Sequence, residues 1–358
     1  MSKINILTIN PGSTSTKIAV FQSSDQVFQK NIKHPAEEIE KYLHISDQYE
    51  YRKNIIVREL EEANIPLSSI NIIIGRGGLV KPIPSGIYEV NETLKADLKK
   101  GVLGQHASNL GGLIADDLAK MIPGVKAYIA DPVVVDEMED VARVSGHPEF
   151  TRVSIFHALN QKAIGRMHAH DISRKYEDLN LVIAHLGGGI SVGAHKKGKV
   201  VDVNQALDGD GPFSPERSGT LPSGDLVRAC FSGKYTKEQL LKMITGKGGY
   251  VAYLGTNSAY EVEQKVLAGD EKAKFYQKAM AHQIAKEIGA MAAVLDCNVD
   301  AILITGGMAY DKDFINLIKD KIGKIAPVNV YPGEDEMRAL AMNGLLLMNK
   351  EIVSTEYK

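Results

Sequence analysis

Two short segments pack glycine, amide and hydroxyl side chains between apolar runs in a way that suits phosphate. Asn10-Pro11-Gly12-Ser13-Thr14-Ser15-Thr16-Lys17 lies between the runs 4–9 and 18–21, and Gly187-Gly188-Gly189 lies between 181–186 and 190–195. Small residues let the backbone come close to a ligand, and successive N–H groups with neighbouring hydroxyls can surround an anion. A plain hairpin turn has the same composition, so neither segment is diagnostic alone. Two of them at matching places about half a chain apart, with Gly306-Gly307 at the end of a further apolar run, point together to a nucleotide polyphosphate. Neither segment is a P-loop, because no Gly-x-x-x-x-Gly-Lys-Ser/Thr occurs. The triple glycine also fails the dinucleotide fingerprint: it opens a strand, and Val192 stands where the third glycine belongs.

Arginine and histidine supply the remaining chemistry. Arg76 follows an apolar run and precedes Gly77-Gly78, and Arg217 sits in Ser214-Pro215-Glu216-Arg217-Ser218-Gly219. An arginine in a tight loop can grip an anion through two donors, and a structural ion pair is the equally good alternative. His106, His157 and His185 stand beside glycine or asparagine or at a strand end. His168-Ala169-His170 reads as an exposed helical face rather than a metal site, since no Cys or His lies at a suitable spacing. Asp208-Gly209-Asp210-Gly211 is not a calcium loop, because Pro212 and Gly219 occupy ligand positions.

The elements that must hold these residues follow from periodicity. Strand, polar turn and strand occur twice, and each copy leads into alternating strands and helices. Strands are expected at 71–74, 126–130, 301–304 and 327–331, and helices at 93–100, 107–121, 276–295, 311–321 and 334–350. In the long helix Ile284, Ile288, Met291 and Leu295 share one face. The pattern implies an α/β protein with an internal duplication, one domain over 1–155 joined by about 338–358 and a second over 156–337.

Composition bounds the possibilities. The 358 residues carry a net charge of −2, are 44% hydrophobic and contain two cysteines, Cys230 and Cys297. This excludes disorder and a disulfide framework. Balanced charge gives no footprint for nucleic acid or a membrane surface, and no apolar run is long enough to span a bilayer. A cytoplasmic protein acting on a small molecule is expected.

Taken in order, INPGSTSTK at 9–17, GRGG at 75–78, GQH at 104–106, FHALNQKA at 156–163, AHLGGGISV at 184–192, PERSGTLPSGD at 215–225 and ITGGMA at 304–309 resemble the acetate kinase (acetokinase) family. The resemblance is strongest to its members that phosphorylate butyrate and branched-chain fatty acids. It implies two ribonuclease-H-like domains of the acetate and sugar kinase, Hsp70 and actin superfamily. The implied reaction is reversible phosphoryl transfer from ATP to butyrate or isobutyrate, giving ADP and an acyl phosphate, with Mg²⁺ as the metal and a homo-oligomer of two or more copies.

By the same resemblance Asn10, Ser13, Ser15, Lys17, His185 and Gly187 to Gly189 hold phosphates, while Gly306 and Gly307 lie against adenosine. Arg76, Gly78, His106 and Phe156 meet the carboxylate substrate. Arg217 and His157 serve the transferring group, Asp131 and Asn10 serve the metal, and the family's acidic residue falls within Glu334-Asp335-Glu336, with Glu336 the first choice. Acetate kinases carry Val-Val after the acyl-site arginine, so Gly77-Gly78 is expected to widen the acyl pocket. The alternatives are an acetate or propionate kinase, or an actin-like or Hsp70-like ATP-binding module without catalysis.

Overall fold

In the computed structural model, residues 3–42 and 44–358 are described, and the chain divides into two compact units, residues 1–135 with 335–358, and 136–334. The first unit contains β1 (Asn5–Pro11), β2 (Ser15–Gln22), β3 (Asp25–Lys33), α1 (Ala36–Ile39), α2 (Tyr49–Glu62), β4 (Ile72–Arg76), β5 (Ile87–Glu89), α3 (Glu92–Lys100), α4 (Asn109–Lys120) and β6 (Ala127–Ala130). The second contains α5 (Asp140–Arg143), α6 (Ala158–Asp171), β7 (Asn180–Leu186), β8 (Ile190–Lys196), β9 (Lys199–Val203), α7 (Ser223–Cys230), α8 (Lys237–Ile244), α9 (Gly249–Leu254), α10 (Ala259–Leu267), α11 (Glu271–Val294), β10 (Ala301–Gly306), α12 (Lys312–Ile322) and β11 (Val328–Pro332). The last helix, α13 (Glu336–Met348), belongs to the first unit and packs on β1 and β4.

The sheet orders display the duplication. The first is β3-β2-β1-β4-β6-β5 and the second β11-β10-β7-β8-β9. In each, an antiparallel meander (β1-β2-β3; β7-β8-β9) is extended on the far side of its first strand by two parallel strands, and in the first sheet β5 then closes the edge antiparallel to β6. The central strands read as continuous apolar runs because both faces are covered: Ile72, Ile73 and Ile74 of β4 and all of β7 are buried. Helices end where their caps require. Asn91 accepts from the Leu94 N–H at the start of α3, and Gly101 terminates it at φ 66°.

The expected helices and strands appear with ends shifted by a few residues. The third strand of each meander, β3 and β9, helices α2, α6 and α7 to α10, and the short β5, α1 and α5 lie outside the expected elements. The division between units falls at Val135/Asp136 rather than near 151–157. The segment after Val135 packs on the second unit: the Glu139 N–H donates to the Val201 carbonyl at 3.0 Å, Glu137 accepts from Lys162 at 2.6 Å, and Arg152 meets Asp202 at 2.9 Å. His168-Ala169-His170 is not an exposed face throughout. His170 is exposed, but His168 is buried with Nδ1 2.9 Å from the Tyr331 hydroxyl, because α6 lays that side against β11.

Candidate active site

In the first unit the hairpin turn is tighter than the sequence suggests, with Gly12-Ser13-Thr14 alone joining β1 to β2. The turn is held from beneath by Arg52 of α2, which is 1% exposed. Its Nη1 donates to the Gly12 and Ser15 carbonyls at 2.7 and 3.1 Å and to Thr16 Oγ1 at 3.2 Å, and its Nη2 donates to the Ser13 carbonyl at 3.0 Å. The Thr14 carbonyl accepts from the His34 N–H at 2.9 Å. Every carbonyl oxygen from Gly12 to Ser15 therefore has a donor. The side-chain partners of Arg52 are Gln48 and Thr16, both neutral, and burial lowers its pKa to about 10. A guanidinium below pH 10 keeps its charge, so an uncompensated positive charge lies under the turn.

His34 is buried beside it, Nε2 2.8 Å from Thr16 Oγ1, and its pKa is pushed down to about 4, first by burial and then by the charge of Arg52. Sequence reading missed both groups. The available signal was Arg52 at helical spacing with Ile56 and Leu60 on the buried face of α2.

Further site residues of this unit stand at the carboxyl ends of its parallel strands, the usual place for a ligand in such sheets. Arg76 ends β4, and its Nη1 lies 3.2 Å from Asn10 Oδ1 and 3.1 Å from Glu336 Oε2. Asn10 Nδ2 donates to the same carboxylate oxygen at 2.5 Å. Lys17 pairs across the hairpin with Asn10 and so shares its face of the sheet. Asp131, just past β6, is buried at φ 38°, and its Oδ1 accepts from Ser85 Oγ at 2.6 Å and the Gly86 N–H at 2.9 Å. His106 is exposed, its Nδ1 2.8 Å from Ser108 Oγ.

The acidic triplet is divided between tasks. Glu336 faces Asn10 and Arg76, Asp335 caps α13 by accepting from the Arg338 N–H at 2.9 Å, and Glu334 belongs to the second unit. Among the described residues no group of three or more His, Cys, Asp or Glu side chains is arranged to hold a metal ion.

Packing removes the basis for a widened pocket at Gly77-Gly78. A Cβ on Gly77 would lie 2.5 Å from Pro132 Cβ, and one on Gly78 would lie 2.6 Å from Asn109 Cα. The volume a side chain would fill is occupied by the start of α4 and by Pro132, so these glycines permit close packing and do not open space for an acyl chain.

In the second unit His157 stands at the N-terminus of α6 and stacks on His185, with ring centroids 3.8 Å apart and planes at 11°. His157 Nδ1 lies 2.8 Å from Ser191 Oγ. His185 Nδ1 lies 2.8 Å from Asn160 Oδ1, and its Nε2 lies 3.1 Å from Glu334 Oε1. Phe156, immediately before His157, is buried.

The glycine turn after β7 leans on the loop carrying Arg217. Ser214 Oγ donates to the Gly188 carbonyl at 2.6 Å, the Gly187 N–H donates to the Gly189 carbonyl at 3.0 Å, and a Cβ on Gly189 would collide with the Arg217 guanidinium. Arg217 Nη1 donates to the Ala206 carbonyl at 2.6 Å, its Nε is buried without a partner, and burial lowers its pKa. Gly306 takes φ 97° at the end of β10, where a Cβ would lie 2.2 Å from the Leu186 carbonyl oxygen. Gly307 borders a cavity of about 330 Å³ lined by Tyr250, Gln277, Met308, Tyr310, Asp311 and Phe314.

Residues 150–326 match the Acetokinase family. Butyrate kinase 2 of Clostridium acetobutylicum is 56% identical over 356 residues, covering 99% of this chain and 100% of that protein. Butyrate kinase 1 of the same organism is 56% identical over 353 residues, covering 99% of each. The crystal structure of Porphyromonas gingivalis acetate kinase superposes with a TM-score of 0.78 at 17% identity, over 96% of this chain and 100% of that one. The fold is thus that of the acetate kinases. The chain belongs to the acetokinase family.

Two predictions follow from the first unit. Gly78→Val should lower the urea midpoint by the equivalent of roughly 1–3 kcal/mol, the usual result of overpacking, without moving the preference for acyl chain length; a shifted preference at full stability would restore the pocket role. Because His34 titrates near 4 when folded and near 6.5 when unfolded, the unfolded chain takes up the proton first as pH falls. The stability this residue contributes above pH 6.5 is then lost on acidification toward pH 4, by roughly 2–3 kcal/mol. Urea unfolding of the wild type and of His34→Gln at pH 7 and 4.5 should show a steeper loss in the wild type; equal slopes would contradict the shift.

Proposed function

We propose that this chain is a butyrate kinase, transferring the γ-phosphoryl group of ATP reversibly to a short-chain carboxylate to give an acyl phosphate and ADP. The observation that carries this reading is 56% identity along the whole length to proteins named butyrate kinases. Phosphoryl transfer asks little covalent chemistry of a protein, so the residues need to align the reactants and neutralise charge.

Arg217 suits the transferring phosphoryl group, because its charge is desolvated and its buried Nε lacks a partner. His157 donates a hydrogen bond to that group, and His185 with Gly187 to Gly189 holds the neighbouring phosphates. Asn10, Ser13, Ser15 and Lys17 add polar groups above the charge of Arg52. Arg76 binds the substrate carboxylate, and His106 and Phe156 contribute to recognition of the acid. Adenosine fits the cavity beside Gly306-Gly307, whose aromatic lining can take a base.

The Glu336 carboxylate and the Asn10 amide oxygen, both now accepting from Arg76, are of the kind Mg²⁺ takes, the ion completing its shell with water and phosphate. When bound, the ion neutralises phosphate charge. Asp131 orders the turn at Ser85-Gly86, and its carboxylate would help to order the metal's waters. Cys230 and Cys297 are free and exposed, in keeping with a reducing, cytoplasmic setting, and among the described residues no helix is long and apolar enough to cross a membrane. The family resemblance further suggests a homo-oligomer.

Incubation with MgATP and straight and branched acids of two to six carbons, with hydroxylamine trapping, should give acyl hydroxamate peaking at four or five carbons. A peak at acetate would make it an acetate kinase, and no product with any acid would favour a module that only binds ATP. His157→Ala should lower kcat roughly 10² to 10³-fold with a smaller change in KM for ATP; unchanged turnover would leave His157 structural.

A further inference from the structure

Behind His157 a chain of buried hydrogen bonds crosses the second unit: Tyr176 OH to His195 Nδ1 at 2.5 Å, His195 Nε2 to Gln161 Oε1 at 2.8 Å, Gln161 Nε2 to Ser191 Oγ at 2.8 Å, and Ser191 Oγ to His157 Nδ1 at 2.8 Å. Gln161, Ser191 and His195 are fully buried and Tyr176 nearly so. None of the sequence motifs assigns these four groups a task.

The direction of the chain is set by one backbone atom. Gln161 Nε2 also lies 3.1 Å from the Ser191 carbonyl oxygen, which can only accept, so the amide nitrogen must face Ser191 and the amide oxygen must face His195. His195 then donates from Nε2. Burial, reinforced by the charges of Lys162 and Arg166, holds its pKa well below the usual value, so the ring is neutral and its Nδ1 accepts from Tyr176. On the other side Ser191 Oγ receives one proton from Gln161 and lies 3.4 Å from the His157 N–H, which occupies its second lone pair. Its own hydrogen is left to point at His157 Nδ1. Gly193 keeps the path open, since a Cβ there would lie 2.7 Å from Gln161 Oε1.

We propose that Tyr176, His195, Gln161 and Ser191 are positioning residues that make Nδ1 of His157 an acceptor and so place its proton on Nε2, the tautomer that can donate to the transferring phosphoryl group. The catalytic half of this statement rests on the function proposed above. The tautomer itself is a property of the resting protein. A neutral ring has one donor nitrogen and one acceptor nitrogen, and the hydrogen bond at one decides which the other is. A ring free to choose would spend part of its time with the proton on the wrong atom.

The test is long-range ¹H–¹⁵N correlation on the full chain labelled with ¹⁵N-histidine, without substrate, the His157 signals being assigned by their loss in His157→Gln. The wild type should show the Nε2–H tautomer. Gln161→Met removes the amide donor that fills one lone pair of Ser191 Oγ, so that oxygen can accept from His157 Nδ1–H and the ring should become a mixture of tautomers. Ser191→Ala removes the donor and should leave a mixture. Each should lower kcat roughly 10- to 100-fold while KM for ATP changes less than about threefold, in line with the loss of one aligned donor.

An Nδ1–H wild type would overturn the proposal even if neither variant folds. So would a folded variant that keeps the Nε2–H tautomer, or one that changes tautomer with turnover unaltered. Because the tautomer is read without turnover, absence of any kinase activity would count against the function and leave this measurement standing.

Discussion

A guanidinium buried with no carboxylate beside it is the constraint from which the first unit's site follows. Arg52 delivers its donors to the oxygens of Gly12, Ser13 and Ser15, and His34 takes care of Thr14. A turn whose carbonyl lone pairs pointed outward would repel phosphate. With those oxygens satisfied from below and a positive charge beneath them, the same turn has the electrostatics that an anion site requires. Removing an ion from water is costly, and a buried counter-ion would offset that cost while cancelling the field. The chain instead spreads the charge of Arg52 over neutral acceptors, and the field remains.

The second unit meets the same demand by other means. Its glycine turn is braced by Ser214 and by the Arg217 loop, and Gly189 has no side chain because the guanidinium occupies that space. Under His157 the polar groups form a directed chain anchored by the Ser191 carbonyl, and His185 is held between Asn160 and Glu334. The first turn of α6 thus carries His157, Asn160 and Gln161 toward the sheet. This explains why a helix with so many polar residues is buried there: each finds a partner, which is the condition for burying it at all.

Much of this was legible in the sequence. The paired strand–turn–strand segments announced the duplication, and the sheet orders reproduce it. Arg76, Asn10 and Glu336 were singled out from separate parts of the chain and lie within hydrogen-bond reach of one another. Arg52, His34, Gln161, His195 and Tyr176 were not singled out. A polar residue on an apolar helix face or strand carries no motif, and its meaning comes only from what it touches. Gly77-Gly78 misled for a related reason: a missing side chain reads as space in a sequence, whereas here Pro132 and α4 fill it.

The sequence by itself determined the fold class, the duplication and the types of residue available for binding anions, because periodicity and turn chemistry are local and survive in one dimension. Tertiary structure alone decided which carboxylate of Glu334-Asp335-Glu336 faces Arg76, where the boundary of the second unit lies, and which nitrogen of His157 lies against Ser191. Those are questions of distance and direction between groups far apart in the chain. A hydrogen bond is made or lost over less than an ångström, a scale on which residue order carries no information.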